Sequence, residues 1–336
     1  VSQLRQNIIT KDWVVFATSR AKRPHDFVRS PDRTLADAPP WDPHCPLCTV
    51  PAAEEEFLHL ERDGRWQVRV VANRYPALSP HGDRQWQTDG IHRSISGVGY
   101  HEVLIEHPQH NLTIALMTHS DVVVILQAYR QRYEQIRHDP RIESVIIFKN
   151  HGEPAGASLI HPHSQIVATP IVPSQIRVRM ADAIAHFDDS GQCLYCFTLE
   201  DELRSGERIV METPHFVAFI PYAALSPFHL WIFPRRHASS FDQISEAELT
   251  DLAYILRSIL QKLYFGLQNP AFNFTIRSIP THEGEVEYFH WYVAIVPRVS
   301  KAAGFEMGSG MYINTAMPED SAAFLRSVAV PPVLFP

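Results

Sequence analysis

Short runs that are apolar or strictly alternating recur along the chain with the length and β-branched content of strands: "QVRVVANR", "YHEVLIE", "SVIIF", "FHLWIF", "FNFTI" and "WYVAIVP". Two longer stretches carry helical periodicity instead. One spans Ser120 to about His138. The other spans Ser245 to about Phe265, with Leu249, Leu252, Ile255 and Leu256 on one face. Ser245 with Glu248 three residues on forms a capping box, which satisfies amides at the helix start and so marks where it begins.

These elements occur twice in the same order, each time opened by a Cys-x-x-Cys pair: "CPLC" at Cys45 and Cys48, "CLYC" at Cys193 and Cys196. The offsets are 148 residues from Cys45 to Cys193, 127 from His110 to His237 and 129 from His161 to His290. The later parts of the halves are therefore in register, and the first half holds an extra polar segment, "SPHGDRQWQTDGIHRS", read as a loop. The pattern predicts an α+β protein, with an antiparallel sheet and helices on one face of it, twice. Whether two sheets remain separate or join into one is left open by the pattern.

The chain has 336 residues, 20% of them charged, with a formal charge of −7. That is enough for one large or two moderate domains, each with its own core. A mildly acidic surface argues against non-specific nucleic-acid binding, and no run of 18 apolar residues occurs, so neither nucleic acid nor membrane is an expected partner. No secretory leader pattern opens the chain, and a cytoplasmic enzyme or binding protein is the expectation. Four cysteines are too few for a disulfide scaffold, leaving zinc ligation, redox chemistry or plain thiols for the two pairs.

The repeat favours zinc. It aligns Cys45, Cys48, His110 and His161 with Cys193, Cys196, His237 and His290, two Cys2His2 sets suited to closed tetrahedral sites. A single histidine after a strand would be an ordinary surface residue; two at matched offsets from two cysteine pairs are not. Two zinc ions per chain are expected.

The stretch "NHGEPAGASLIHPHSQ" raises a different chemistry. Residues i and i+2 of an extended segment face one side, so His161 and His163 can be directed to one site, Pro162 fixing the backbone between them. With His161 on zinc, His163 is free to attack phosphorus and leave again. The preceding loop can aim backbone amides at an anion, and Ser158 and Gln165 can add side-chain donors; an isolated loop of this kind would be an ordinary turn. The second half has Tyr292 where the first has His163, which leaves one half with the reagent and the other in support.

At "HPHSQ" the chain resembles the galactose-1-phosphate uridylyltransferases and the related ADP-glucose phosphorylase-like proteins, the transferase branch of the histidine-triad superfamily. The resemblance covers nearly the whole chain, through "ITKDWVVFATSRAKRP", "CPLC", "VVANRYPAL", "NHGEPAGASLIHPHSQ", "ETPHFVAFIPYAALSPFHLWIFPRRH", "FHWYVAIVPR" and "GFEMGSGMYIN". It implies two histidine-triad-like halves, residues 1–175 with the active motif and 176–336 with the second zinc set and a sugar-phosphate segment. It implies that His163 carries a nucleoside monophosphate covalently during a double displacement, and that Cys45, Cys48, His110 and His161 bind zinc. By the same resemblance Ser158 and Gln165 hold the phosphate, Asn150 and Gly156 line the loop, and Arg20, Arg23 and Asn73 meet the nucleotide. Phe305 and Glu306 match an aromatic–Glu pair placed on the sugar. The second cysteine pair, and Tyr292 in place of a third metal-site histidine, bring the chain nearer the ADP-glucose phosphorylase-like branch. A homodimer is implied as well.

Three activities follow as expectations. The first is exchange of a nucleoside monophosphate between a nucleoside-diphosphate sugar and a sugar 1-phosphate. The second is phosphorolysis with inorganic phosphate as acceptor, and the third a zinc-stabilised nucleotide-binding protein without turnover.

Overall fold

The computed structural model describes residues 2–17, 27, 38–50 and 55–332. It begins with a hairpin of β1 (Gln3–Gln6) and β2 (Trp13–Phe16). There follow β3 (Glu56–Arg62), β4 (Arg65–Ala72), a small hairpin of β5 (Trp86–Asp89) and β6 (His92–Ile95), β7 (Tyr100–Ile105), α1 (His119–Arg137), β8 (Ser144–His151) and β9 (His163–Thr169). Helices α2 (Ser174–Ser190) and α3 (Leu194–Ser205) connect to β10 (Ile209–Glu212), β11 (Phe216–Phe219), β12 (Leu230–Pro234), α4 (Glu246–Leu267), β13 (Phe272–Arg277) and β14 (Tyr292–Pro297). The chain continues through α5 (Gly304–Ser309), β15 (Tyr312–Asn314), which lies parallel to β2, and α6 (Pro318–Ser327).

One ten-stranded antiparallel sheet runs in the order β10-β11-β12-β14-β13-β8-β9-β7-β4-β3. Read from its two ends, the five strands of each half come in the same spatial order, so the sequence repeat is a structural one. The halves join where β8 pairs with β13, from His151 opposite Phe272 to Ile147 opposite Ile276. Each half would otherwise expose an apolar edge with unpaired amides, and pairing the two edges removes both.

Helices α1 and α4 lie together on one face. Val122, Ile125 and Tyr129 from α1, and Leu249, Leu252, Ile255 and Leu256 from α4, meet Leu104, Ile166, Leu230, Ile232, Val293 and Ile295 in one core. Each such buried Leu or Ile contributes about 1.5–3 kcal/mol. Both helices start at a capping box, Thr118 with Asp121 and Ser245 with Glu248.

Two expectations need correction. Among the described residues helices cover the opposite face too, but only in the second half: Leu194, Tyr195 and Leu199 of α3 and Ala183 of α2 pack on Val217, Phe219, Trp231, Phe233 and Tyr292. On that face of the first half the loop with Cys45 and Leu47 packs against Val71 and Ile105. The extra polar segment, read as a loop, contains the β5–β6 hairpin, turned at Gly90 with φ +58°. Its strands are almost wholly exposed, so no apolar alternation announces them. Among the described residues no helix is long and apolar enough to cross a membrane.

Candidate active site

The two cysteine–histidine sets converge as separate clusters. Cys45, Cys48, His110 and His161 form one, and Cys193, Cys196, His237 and His290 the other; within each, the ligand atoms lie within 4.8 Å of one another. Cys48 Sγ is 3.4 Å from His110 Nδ1 and 3.3 Å from His161 Nδ1. Cys196 Sγ is 3.3 Å from Nδ1 of both His237 and His290. Ligands of a tetrahedral zinc stand about 3.6 Å apart for one sulfur and one nitrogen at usual bond lengths, so these separations suit that ion.

Outer contacts point the rings inward. His161 Nε2–H donates to the His107 carbonyl at 2.8 Å, and His237 Nε2–H to that of Val286 at 2.9 Å, which leaves each Nδ1 lone pair facing the cysteines. The thiols also conflict without a cation. The hydrogen bond from Cys196 holds the Cys193 thiol down at about 3, and the same pairing, with burial, pushes the Cys196 thiol up. A bound dication allows both to ionise. Cys193 is the N-cap of α3, a position associated with redox pairs, yet the two histidines beside it complete a donor set that could hold a metal ion.

His161 precedes β9 and His163 begins it. His163 is buried, and its Nδ1–H donates to the His161 carbonyl at 2.8 Å. A carbonyl can only accept, so Nδ1 carries the hydrogen and Nε2 keeps its lone pair. Burial, and then the charge of Lys149, lower the pKa of His163, which favours the neutral, nucleophilic ring. The two imidazoles thus do not share one target: His161 turns to Cys48 while His163 borders a cleft of about 360 Å³.

Ser158, Gln165 and Asn73 line that cleft with His163. A residue not anticipated from sequence orients one of them, Gln165. Ala77 N–H donates to His101 Nδ1 at 3.0 Å, so His101 Nε2 carries hydrogen and donates to Gln165 Oε1 at 2.9 Å. The carboxamide oxygen of Gln165 is thereby engaged, and its NH2 remains for an anion. His101 Nε2 also lies 3.0 Å from Asn73 Nδ2. The period-2 register of β7, which places His101, Val103 and Ile105 on the cleft face, was the signal available for His101.

Asn150 and Ser158 line a neighbouring cleft that also contains His161. Asn150 is held from the second half, its Oδ1 accepting from Asn273 Nδ2 at 2.7 Å. The amides of Ala155, Gly156 and Ala157 close a turn on Gly152 and Glu153, so these three of the loop's amides are not free to donate to an anion. Gly152 has φ +79° and a Cβ there would stand 2.8 Å from Ala271 Cβ, which explains the glycine on conformational and packing grounds. Phe305 and Glu306 sit on α5, and Glu306 lines a third cleft that does not contain His163. Arg20 and Arg23 lie outside the described residues.

Behind His163, on the helix-covered side, Lys149 Nζ donates to Glu106 Oε2 at 2.6 Å and to the His163 carbonyl at 3.0 Å, while Ser164 donates to Glu106 Oε1. Lys149 and Glu106 are both buried. Lys149→Met is expected to lower unfolding stability by about 3–5 kcal/mol, because it strands a buried carboxylate. Urea denaturation of the zinc-loaded protein measures this; a loss below about 1 kcal/mol would mean the pair behaves as an exposed one.

The family model described as "Galactose-1-phosphate uridyl transferase, N-terminal domain" matches residues 1–173, and another, for a domain of unknown function, matches residues 109–326. An ADP-glucose phosphorylase from Arabidopsis thaliana is 37% identical over 98% of this chain and 93% of that protein. The chain belongs to the galactose-1-phosphate uridylyltransferase family. Within it, a Galactose-1-phosphate uridylyltransferase of Thermotoga maritima is 28% identical over 98% of this chain and 99% of that protein. The crystal structure of the Arabidopsis ADP-glucose phosphorylase with bound ADP-glucose superposes with a TM-score of 0.81 at 34% identity, covering 98% of this chain and 99% of that one. The α+β architecture, one antiparallel sheet built from two like halves, is thus that of this family.

Proposed function

We propose that the protein is a hexose-1-phosphate nucleotidyltransferase that works by two displacements through His163. The observation that carries this reading is the single free Nε2 of a neutral, buried His163 at the edge of a cleft shared with Ser158, Gln165 and Asn73. In the first step Nε2 attacks the α-phosphorus of a nucleoside-diphosphate hexose. The bond from that phosphorus to the bridging oxygen breaks, and hexose 1-phosphate leaves. In the second step a phosphate oxygen of the acceptor attacks the same phosphorus and the imidazole departs with its electron pair. The Gln165 NH2 and Ser158 hydroxyl donate to the phosphoryl oxygens as charge builds there. Cys45, Cys48, His110 and His161, and Cys193, Cys196, His237 and His290, would each hold a zinc ion that fixes its surroundings structurally; with four protein ligands, neither ion would have a position for substrate.

A second acceptor, inorganic phosphate with adenine as base, is favoured by the likeness to the ADP-glucose phosphorylase and by the second Cys2His2 cluster. A homodimer, and contact of Phe305 and Glu306 with the sugar, belong to this reading by resemblance. Incubation with UDP-glucose or ADP-glucose labelled at the α-phosphate distinguishes the bases: one labels the protein, the other does not. Release of label by galactose 1-phosphate, or by phosphate, then identifies the acceptor. No label from either compound would sink the covalent reading.

A further inference from the structure

The second half has its own cleft, of about 520 Å³, on the sheet face that corresponds to the His163 side of the first. Tyr292 stands on it at the repeat position of His163, and Arg277 lies opposite Tyr292 in the β13–β14 register. Four cations, Arg179, Arg277, Arg298 and Lys301, line this cleft in a protein whose formal charge is −7. Of the two acidic residues there, Glu306 accepts from the amides of Ala303 and Ile313 at 2.8 and 3.4 Å, and Asp12 is the other. None of the four cations takes part in an ion pair among the described residues. Arg179 and Arg277 are half-buried, so their charges are only partly satisfied by solvent.

Unmatched donors gather at the same place. Nine buried side-chain atoms lack a partner among the described residues, and four of them, Thr10 Oγ1, Ser226 Oγ, His229 Nδ1 and Arg277 Nε, belong to residues lining this cleft. The His229 tautomer is defined by its neighbour: Trp231 Nε1–H donates to His229 Nε2 at 3.2 Å, so the ring hydrogen sits on Nδ1 with nothing to receive it. His229 is 6% exposed. Burial, then Arg277, Arg179 and Arg298, push its imidazole down to about 3, which shows the positive field of the site. The clustering of donors without acceptors calls for a compact ligand with several acceptor oxygens and negative charge, and guanidinium forks match phosphate in shape.

We propose that this cleft is a second, non-catalytic seat for a phosphate group, brought by a small phosphomonoester or by inorganic phosphate. The phosphate lies against Arg179 and Arg277, with Ser226 beside it. No transfer occurs there, because Tyr292 packs its ring against Phe233 at 4.9 Å and Trp231 at 5.3 Å and a phenol is a poor nucleophile. Its occupant is a ligand of the folded second half.

Equilibrium dialysis of the zinc-loaded full chain against labelled phosphate, glucose 1-phosphate and AMP tests this. The double variant Arg179→Gln/Arg277→Gln is expected to lose one bound equivalent per chain, its affinity falling at least about tenfold. Tighter binding of glucose 1-phosphate or AMP than of phosphate to the lost class would identify a phosphomonoester; equal binding would identify free phosphate. Identical binding by the unmutated protein and a folded double variant would overturn the proposal. Should the variant not fold, tungstate soaked into crystals of the unmutated protein decides: anomalous signal between Arg179 and Arg277 supports the seat, and signal elsewhere only, or none, rejects it.

Discussion

His163→Asn is expected to lower nucleotidyl transfer by about 10⁴-fold or more, the scale on which removal of a covalent nucleophile acts. The metal should be unaffected, since His163 contributes to the His161 side only by accepting orientation: its Nδ1–H rests on the His161 carbonyl while His161 Nδ1 faces Cys48. Asparagine can keep a donor to that carbonyl but has no ring nitrogen to attack phosphorus. His163→Gly should be as inactive with nucleoside-diphosphate hexose, yet accept a preformed nucleotidyl-imidazole into the emptied space. In the unmutated protein, parallel initial-rate lines and an acid-labile nucleotide on residue 163 are expected. Intersecting lines, no adduct and a loss under tenfold would together mean direct transfer in a ternary complex, with His163 only a phosphate-binding group.

The zinc content gives the second large effect. Elemental analysis of chelator-washed protein should find two zinc ions per chain, and Cys193→Ser should retain one. Structural zinc in small sites contributes an apparent 10–16 kcal/mol or so, whereas whole domains are stable by only about 5–15 kcal/mol. Loss of the second ion therefore exceeds the margin of the second half. The variant should unfold in that half at ordinary temperature, seen as a melting transition lowered by more than about 10 °C and as rapid proteolysis of residues 193–297. The ring contacts of Phe233 with His290 and Tyr292 show how directly the cluster is built into that core. One zinc per chain in the unmutated protein, or a Cys193→Ser variant with unchanged melting, would reject the second site. Cys45→Ser should instead impair transfer together with stability, because its cluster holds the residue that orients His163.

Much of this is legible in the amino-acid sequence. Period-2 alternation places the strands, and matched offsets identify the repeat and both ligand sets, because a metal site demands donor types that a chain of four cysteines can place in few ways. Capping chemistry locates the start of α4, and the same pattern at Thr118 and Asp121 marks the start of α1. Residue identity suffices to single out His163 as the proposed nucleophile, since the second half holds Tyr292 at the matching position.

Tertiary structure decided what rests on distant neighbours. Alternation says which face a side chain takes but not which strand lies alongside, and backbone pairing carries no side-chain signature; the union of the halves through β8 and β13 was therefore open. The His163 tautomer depends on a carbonyl two residues away bent back by local geometry, and the orientation of Gln165 depends on His101 from another strand. The α2 and α3 helices cover one half of the open face and leave the other for the His163 cleft, a difference set by packing rather than by repeat. Glu306 lines a cleft that His163 does not border, and Arg179 and Arg277, which form no ion pair among the described residues, meet there only because α2 folds onto β13. The chain alone named the residues proposed to carry chemistry; the fold determined which of their atoms are free, because that depends on partners distant in sequence.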